Sequence, residues 1–356
     1  MPKSGSNDEQ SSLHDPVGAP ATLISQSGMP NPPLIYVLVL HWRGIDNTRN
    51  CLSSLRLLNY SNFKTLLVDN GSDNNDGETL KAEFNEIELL RLDDNYGFSG
   101  GCNAGIDFCL TRGPEFIWLL NNDATVEADT LSQLSSACRA HPHAGAASAA
   151  VVDSTAKTKN ARLPQPTSTL SLSSVSTAST VSTVSIIPGR GVLDFRQAKA
   201  LLKQAAAHKA VECDWLAASN LLLRVEAIKQ TGAFDSRYFL YFEDTELCYK
   251  LRHAGWTCLL VPEAHIFHIG NASTGDSLQH WRAYYYTRNR LLFFASYTKF
   301  PLSLLAFASI YWHLLRHSIT LPFRGRARVR QLRAELFGLR DFLRGSFGKC
   351  TYIDKI

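Results

Sequence analysis

The run Leu34-Ile35-Tyr36-Val37-Leu38-Val39-Leu40 decides the fold. A strand with one wet face alternates apolar and polar residues, and this run never does, which is the mark of a strand buried on both faces of a parallel sheet. Working outward, a helix follows with Cys51, Leu52, Leu55 and Leu58 on its inner stripe. Thr65-Leu66-Leu67-Val68 is a second strand, running into Asp69-Asn70-Gly71-Ser72. After a polar helix comes Ile87-Glu88-Leu89-Leu90-Arg91-Leu92. Beyond the glycine-rich turn Gly97-Phe98-Ser99-Gly100-Gly101, another helix extends to about Thr111. Phe116-Ile117-Trp118-Leu119-Leu120 is a fourth strand, ending at Asn121-Asn122-Asp123. Strands alternating with helices predict an open α/β sheet with right-handed crossovers. Ligands in such sheets bind at the carboxyl ends of the strands, where Asp69 and Asp123 both fall.

The bulk numbers set outer limits. A chain of 356 residues, 45% hydrophobic, has enough apolar material for one large core or two modest ones. Its mean hydropathy of −0.11 is that of a soluble globular protein. A net charge of +4 gives no reason to expect a nucleic-acid partner. None of the eight cysteines forms a Cys-x-x-Cys pair, so reduced core thiols and a cytoplasmic setting are expected rather than disulfides or zinc. Residues 1–33 read as a disordered tail without a signal peptide, because the first apolar run follows a polar stretch. The Ser/Thr-rich segment at about 156–185 reads as either a flexible insertion or a pair of edge strands.

The C-terminal part, 276–356, changes character. Phe300 to Leu315 are sixteen uncharged residues, short of the ~20 that a spanning helix needs. Val329, Leu332, Leu336, Leu339 and Leu343 form an apolar stripe at helical spacing. Between Arg316 and Lys349 lie nine Lys or Arg and two acids, Glu335 and Asp341. Two readings stand side by side: helices packed on the main domain, or a basic, apolar surface docking on an anionic membrane.

Tyr238-Phe239-Leu240-Tyr241-Phe242-Glu243-Asp244-Thr245-Glu246-Leu247 is an aromatic run that delivers adjacent carboxylates to a helix start, with Gly255 as the stop. Glu243 and Asp244 form a candidate base and partner, or Asp244 or Thr245 is a plain N-cap. Asp69 is either a ligand contact or the head of an Asx turn. The segment Asn95 to Asn103 either offers backbone N–H groups to a phosphate or is a tight packing turn; its spacing fits neither a dinucleotide fingerprint nor a Walker loop. Asp123 offers an oxygen ligand suited to Mg²⁺ or Mn²⁺, or caps a turn. His268 is a metal ligand or a satisfied core histidine.

Five motifs, in this order, resemble the family 2 glycosyltransferases with the GT-A fold, especially rhamnosyltransferase and galactofuranosyltransferase-like members. They are Val-Asp-Asn-Gly-Ser at 68–72, Asn-Tyr-Gly-Phe-Ser-Gly-Gly at 95–101, Leu-Leu-Asn-Asn-Asp at 119–123, Phe-Leu-Tyr-Phe-Glu-Asp at 239–244 and Tyr-Tyr-Tyr-Thr-Arg-Asn at 284–289. The resemblance implies a Rossmann-like mixed sheet flanked by helices, a catalytic domain over 34–275 and a C-terminal helical extension. It implies that Asp69 recognises the nucleotide base and that Asn70, Asn95, Gly97, Asn103 and Asn122 line the nucleotide-sugar site. Asp123 closes a degenerate DXD motif and binds Mg²⁺ or Mn²⁺ together with His268. Asp244 deprotonates the acceptor, Glu243 stands beside it, and Trp215 and Tyr241 wall the acceptor site. The implied donor is a dTDP or UDP sugar, with dTDP-L-rhamnose foremost. The implied acceptor is a glycan or lipid-linked molecule at the cytoplasmic face of a membrane. His41, Arg43, Cys102 and Ala218 depart from common family residues. A non-catalytic binding protein on the same fold is the competing class; a processive synthase is disfavoured, since Gln279-His280-Trp281-Arg282 does not supply its Gln-x-x-Arg-Trp signature.

Overall fold

A computed structural model of the chain describes residues 31–153, 189–204, 209–268, 279–320 and 326–355. The Ser/Thr-rich segment and the expected N-terminal tail, but for its last three residues, lie outside the described residues.

The apolar run forms β1 (Ile35–His41), with β2 (Phe63–Asn70) on one side and β4 (Phe116–Asn121) on the other, all parallel. β3 (Glu88–Leu92) pairs parallel with β2. Ile35, Val37 and Val39 face one apolar layer, shared with α1 (Ile45–Leu55) and α4 (Thr130–Ala140), while Tyr36 and Leu38 face the other, shared with α3 (Gly97–Leu110). Both layers are dry, which explains why the strand lacks an alternating pattern. The polar helix is α2 (Asp76–Glu83).

Beyond β4 the sheet becomes mixed. β10 (Asn220–Arg224) runs antiparallel to both β4 and β6 (Ala144–Asp153), and β11 (Thr257–His268) runs parallel to β6. The path is β3-β2-β1-β4-β10-β6-β11-β5, where β5 is Ala124–Val126; β9 (Val211–Glu212) also pairs with β11. A register shift interrupts β11 between Val261 and His265, at Pro262, which has no N–H to give the ladder. β7 (Gly189–Asp194) and β8 (Lys199–Gln204) form a separate hairpin that the sequence reading did not anticipate. α5 (Val225–Thr231) and α6 (Glu243–His253) complete the second layer. All eight cysteines are buried free thiols.

Two local expectations are corrected. Gly97 to Gly101 are the first turns of α3 rather than a turn before it. Gly97 has φ +73°, and a Cβ there would meet the Phe239 carbonyl at 2.3 Å, so only glycine lets the helix start against the acidic turn. The C-terminal stripe is also divided. In α9 (Arg326–Leu343), Leu332 is buried and Leu339 half-buried, but Val329, Leu336 and Leu343 are exposed. The face that packs on α7 (Gln279–Tyr297) uses Ala334, Gly338 and Asp341 instead. Gly338 permits the close approach, since a Cβ there would meet the Tyr284 carbonyl at 2.6 Å, and Tyr284 Oη donates to Asp341 at 2.6 Å. α8 (Leu302–Thr320) covers the aromatic cluster around Phe242, Phe293 and Phe294 with Ala306, Ile310 and Leu314. Among the described residues no helix is long and apolar enough to cross a membrane.

Candidate active site

The parallel strands β1, β2 and β4 end at one edge, and a cleft of about 260 Å³ opens there. Leu40, Trp42, Asn70, Asn121, Asn122 and Asp123 line it from the strand ends. Asn95, Gly97 and Phe98 line it from the start of α3, Phe239 to Tyr241 from the acidic turn, His268 from β11, and Trp281 from α7.

Asp123 and His268 are 145 residues apart in sequence and 2.9 Å apart in space, Oδ1 to Nε2. The sheet causes this: β5 and β11 pair antiparallel with His268 opposite Ala124, the residue after Asp123. Asn121 Nδ2 lies 3.3 Å from the same Nε2. A carboxylate oxygen and an imidazole nitrogen meeting on a cleft wall are donors of the kind that suit a divalent cation whose remaining ligands are oxygens. Asn122 stands beside them, its Nδ2 donating to the Arg43 carbonyl at 3.0 Å and to Thr48 Oγ1 at 2.9 Å. Thr48 Oγ1 also meets buried His41 Nδ1 at 2.8 Å, so the histidine that departs from the family pattern is wired to the site. Burial lowers the proton affinity of His41 and favours its neutral form, against the pull of Asp69 and Asp76.

Asn70, Asn95 and Gly97 come together as expected, but much of their hydrogen bonding is mutual. Asn70 Nδ2 donates to the Gly97 carbonyl (3.0 Å) and Asn95 Oδ1 (3.2 Å), and Asn95 Oδ1 accepts from Gly97 N–H at 2.8 Å. Asp69 lies beneath the wall, fully buried, with Oδ1 accepting from Ser72 N–H and Oδ2 from Ser72 Oγ, both at 2.9 Å. Asn103 is not in the cleft: its amide spans the Phe234 backbone, donating at 2.8 Å and accepting at 3.0 Å. Trp215 is not there either, sitting against β7 where Gly191 bridges to it.

The acidic turn differs chemically from the strand ends. Tyr241 (φ +69°) and Phe242 (φ +71°) are consecutive aromatic residues in the left-handed region, a strain of about 1–3 kcal/mol each. The N-cap is Phe242, so neither Asp244 nor Thr245 occupies that position; the two acids are the first residues of α6. Asn289 on α7 holds the strained turn, donating from Nδ2 to the carbonyls of Leu240 (2.8 Å) and Tyr241 (2.9 Å). Buried Arg288 donates to Asn289 Oδ1 at 3.0 Å and to the Gly348 carbonyl at 2.8 Å. The 284–289 motif is therefore the turn's clamp, a role its residue types did not reveal.

Asp244 is half-buried, with Oδ2 accepting from Ala218 N–H at 3.3 Å and Oδ1 from Thr245 N–H at 2.6 Å. Burial raises its proton affinity, opposed by those hydrogen bonds. Glu243 is 6% exposed and its Oε2 has no partner. Burial first, then the neighbouring Asp244 charge, pushes its carboxyl well above the usual range. Neither acid lines the cleft, whose wall is Tyr241. Two further wall residues escaped the sequence reading: Trp42 and Trp281 stack at 6.1 Å, 239 residues apart. Single tryptophans in a sequence carry no sign of such a meeting.

The mixed sheet with a cleft at its parallel strand ends has the GT-A fold, the class of the sugar-transferring solved structures that it resembles. Among solved structures, the mannosyltransferase PcManGT from Pyrobaculum calidifontis in complex with GDP-Man and Mn²⁺ is similar at a TM-score of 0.50 and 12% identity, covering 89% of this chain and 90% of its own. GalNAc-T7 with UDP, GalNAc and Mn²⁺ is similar at a TM-score of 0.50 and 13% identity, over 73% of this chain and 51% of that one. Residues 37–191 match the family described as glycosyl transferase family 2, and residues 116–329 match glycosyl transferase family group 2. The chain belongs to the family 2 glycosyltransferases. It is 44% identical over 72 residues to the N-acetylglucosaminyl-diphospho-decaprenol L-rhamnosyltransferase of Mycobacterium tuberculosis, covering 20% of this chain and 24% of that protein. To the rhamnosyltransferase WbbL of Escherichia coli it is 38% identical over 58 residues, 16% of this chain and 22% of WbbL. These matches span about a quarter of each relative's length.

Proposed function

We propose that the protein is an inverting, metal-dependent glycosyltransferase that moves a sugar from a nucleoside diphosphate to an acceptor hydroxyl, with dTDP-L-rhamnose as the leading donor. The observation that carries this reading is the meeting of Asp123 and His268 on the cleft wall, which Tyr241, three residues before Asp244, also lines. The named rhamnosyltransferase relatives support the sugar, and neighbours holding Mn²⁺ with a nucleotide or nucleotide sugar support the metal.

Asp123 and His268 would hold Mg²⁺ or Mn²⁺, which when bound neutralises charge on the leaving diphosphate. The stacked pair Trp42–Trp281 offers a flat apolar wall to a ring of the donor. Tyr241, set by its strained backbone, separates donor from acceptor. The acceptor oxygen forms its bond to the anomeric carbon as the bond from that carbon to the diphosphate oxygen breaks, and the acceptor proton passes to Asp244. A raised proton affinity makes Asp244 a better base than a surface aspartate, and the Ala218 and Thr245 N–H groups keep it aimed. Glu243, holding its own proton, spares Asp244 a second adjacent charge.

The acceptor in this reading is a lipid-linked or polysaccharide glycan. α8 presents Leu304, Leu305, Tyr311, Trp312 and Ile319 to solvent, next to the arginine-rich α9, a combination suited to peripheral contact with an anionic membrane at its cytoplasmic face. A panel of nucleotide sugars in a thermal-shift assay, with and without Mn²⁺, tests donor and metal together. One donor is expected to stabilise the chain only with metal, by about 2.7 kcal/mol at a hundred times its Kd, and Asp123→Asn is expected to lose the effect. Equal stabilisation in chelator would refute the metal-dependent reading.

A further inference from the structure

A second set of metal-ligating side chains lies outside the cleft, between the C-terminal helices. His313 and His317 stand one turn apart on α8, and Glu335 reaches them from α9. The three ligand atoms lie within 4.8 Å of one another. Glu335 is 4% exposed, with Oε2 3.0 Å and Oε1 3.2 Å from His317 Nδ1. Gln331, one turn earlier on α9, donates to Oε1 at 3.1 Å and orients the carboxylate, as outer partners of metal ligands do. The two imidazole rings are 4.0 Å apart between centroids.

An ion pair between α8 and α9 needs one imidazole. The second, tilted against the first, adds nothing to that pair and supplies another nitrogen donor within 4.8 Å of the other two ligand atoms. Two histidines at i, i+4 on one helix with a carboxylate from a neighbour make a three-ligand set that leaves a fourth position open in a tetrahedral shell. Imidazole-rich sets of this kind favour Zn²⁺ over Mg²⁺ or Mn²⁺, which prefer carboxylate, water and phosphate oxygens. We infer that His313, His317 and Glu335 form a Zn²⁺ site that fastens α8 to α9. Its work is structural: α8 exposes much of its apolar surface, and the ion ties that helix to α9, which packs tightly on α7. The site is separate from the cleft in both ligands and metal preference.

The test uses the full chain, freed of metal, carrying Asp123→Asn and His268→Gln so that the cleft cannot bind. Zn²⁺ titration by calorimetry, with Co²⁺ absorption as a coordination-sensitive signature, is expected to show one equivalent bound and no displacement by excess Mg²⁺. Adding Glu335→Gln or His317→Ala is expected to weaken binding at least about tenfold, the least that even an outer partner of a ligand contributes. The metal-free melting temperatures report whether each variant still folds. If one does not, His313→Asn, at a half-buried position, carries the same comparison. No Zn²⁺ binding at micromolar concentration, or a loss under tenfold in the folded variants, overturns the assignment.

Discussion

The carboxylates at the strand ends and those on the acidic turn share a chemical group and little else. Asp123 faces an imidazole and Asp69 accepts two hydrogen bonds from Ser72, on strand termini whose backbones are unstrained. Glu243 and Asp244 follow two aromatic residues in the left-handed region; one acid has an unpartnered oxygen, and both hold protons more tightly than usual. At the strand ends one carboxylate, Asp123, reaches the cleft and the other, Asp69, is held beneath it by Ser72. The turn carries strain in its backbone and desolvation at its acids, and it is the desolvation that makes the carboxyls basic.

The sharpest way to break this comparison is Asp244→Asn. It is expected to lower transfer by about 10²–10⁴-fold, the range for losing a positioned base, while donor binding stays intact. The wild-type rate should fall on acidification through a limb above the ordinary carboxylate value of 3.8, because burial raises this group. An acid limb at or below that value, or unchanged turnover in the variant, would place both pairs of acids in the same role.

Asn289→Ala separates strain from charge. It removes the donors to the Leu240 and Tyr241 carbonyls, and is expected to cost about 1–3 kcal/mol of stability. Turnover should drop while affinity for the donor at Asp123 changes little; parallel losses in both would show that the clamp serves the whole cleft. The smallest effect concerns Glu243→Gln. Glu243 binds its proton more tightly folded than unfolded, so folding loses stability as pH rises from its unfolded value near 4.5 towards its raised folded value. Glutamine does not titrate, so its advantage in melting temperature over wild type should grow with pH across that window. A constant difference would mean that Glu243 is solvated.

Strand identity was legible because dry faces demand unbroken apolar runs, and the ends of those runs named Asp69 and Asp123 without any tertiary information. The separation of wall residues from supporting ones was not legible. Asn103 looked like its neighbours in the motif, yet it braces the Phe234 backbone, because a side-chain amide serves a loop as readily as a ligand. The α9 stripe marked the helix but not its packed face, because helix packing was set by small residues: Ala334 and Gly338 let α9 approach α7, and Val329, Leu336 and Leu343 face solvent.

Local pattern by itself determined the alternating strands and helices, the carboxyl-end positions of the acids and the presence of a helix after the aromatic run, since each depends on residues within a few positions of one another. Tertiary structure decided what meets across the cleft. His268 reaches Asp123 only through the β5–β11 register, Trp42 finds Trp281 only when α7 folds back, and Asn289 restrains a turn 48 residues away. Those meetings are set by sheet register and helix packing, which draw on the whole chain at once.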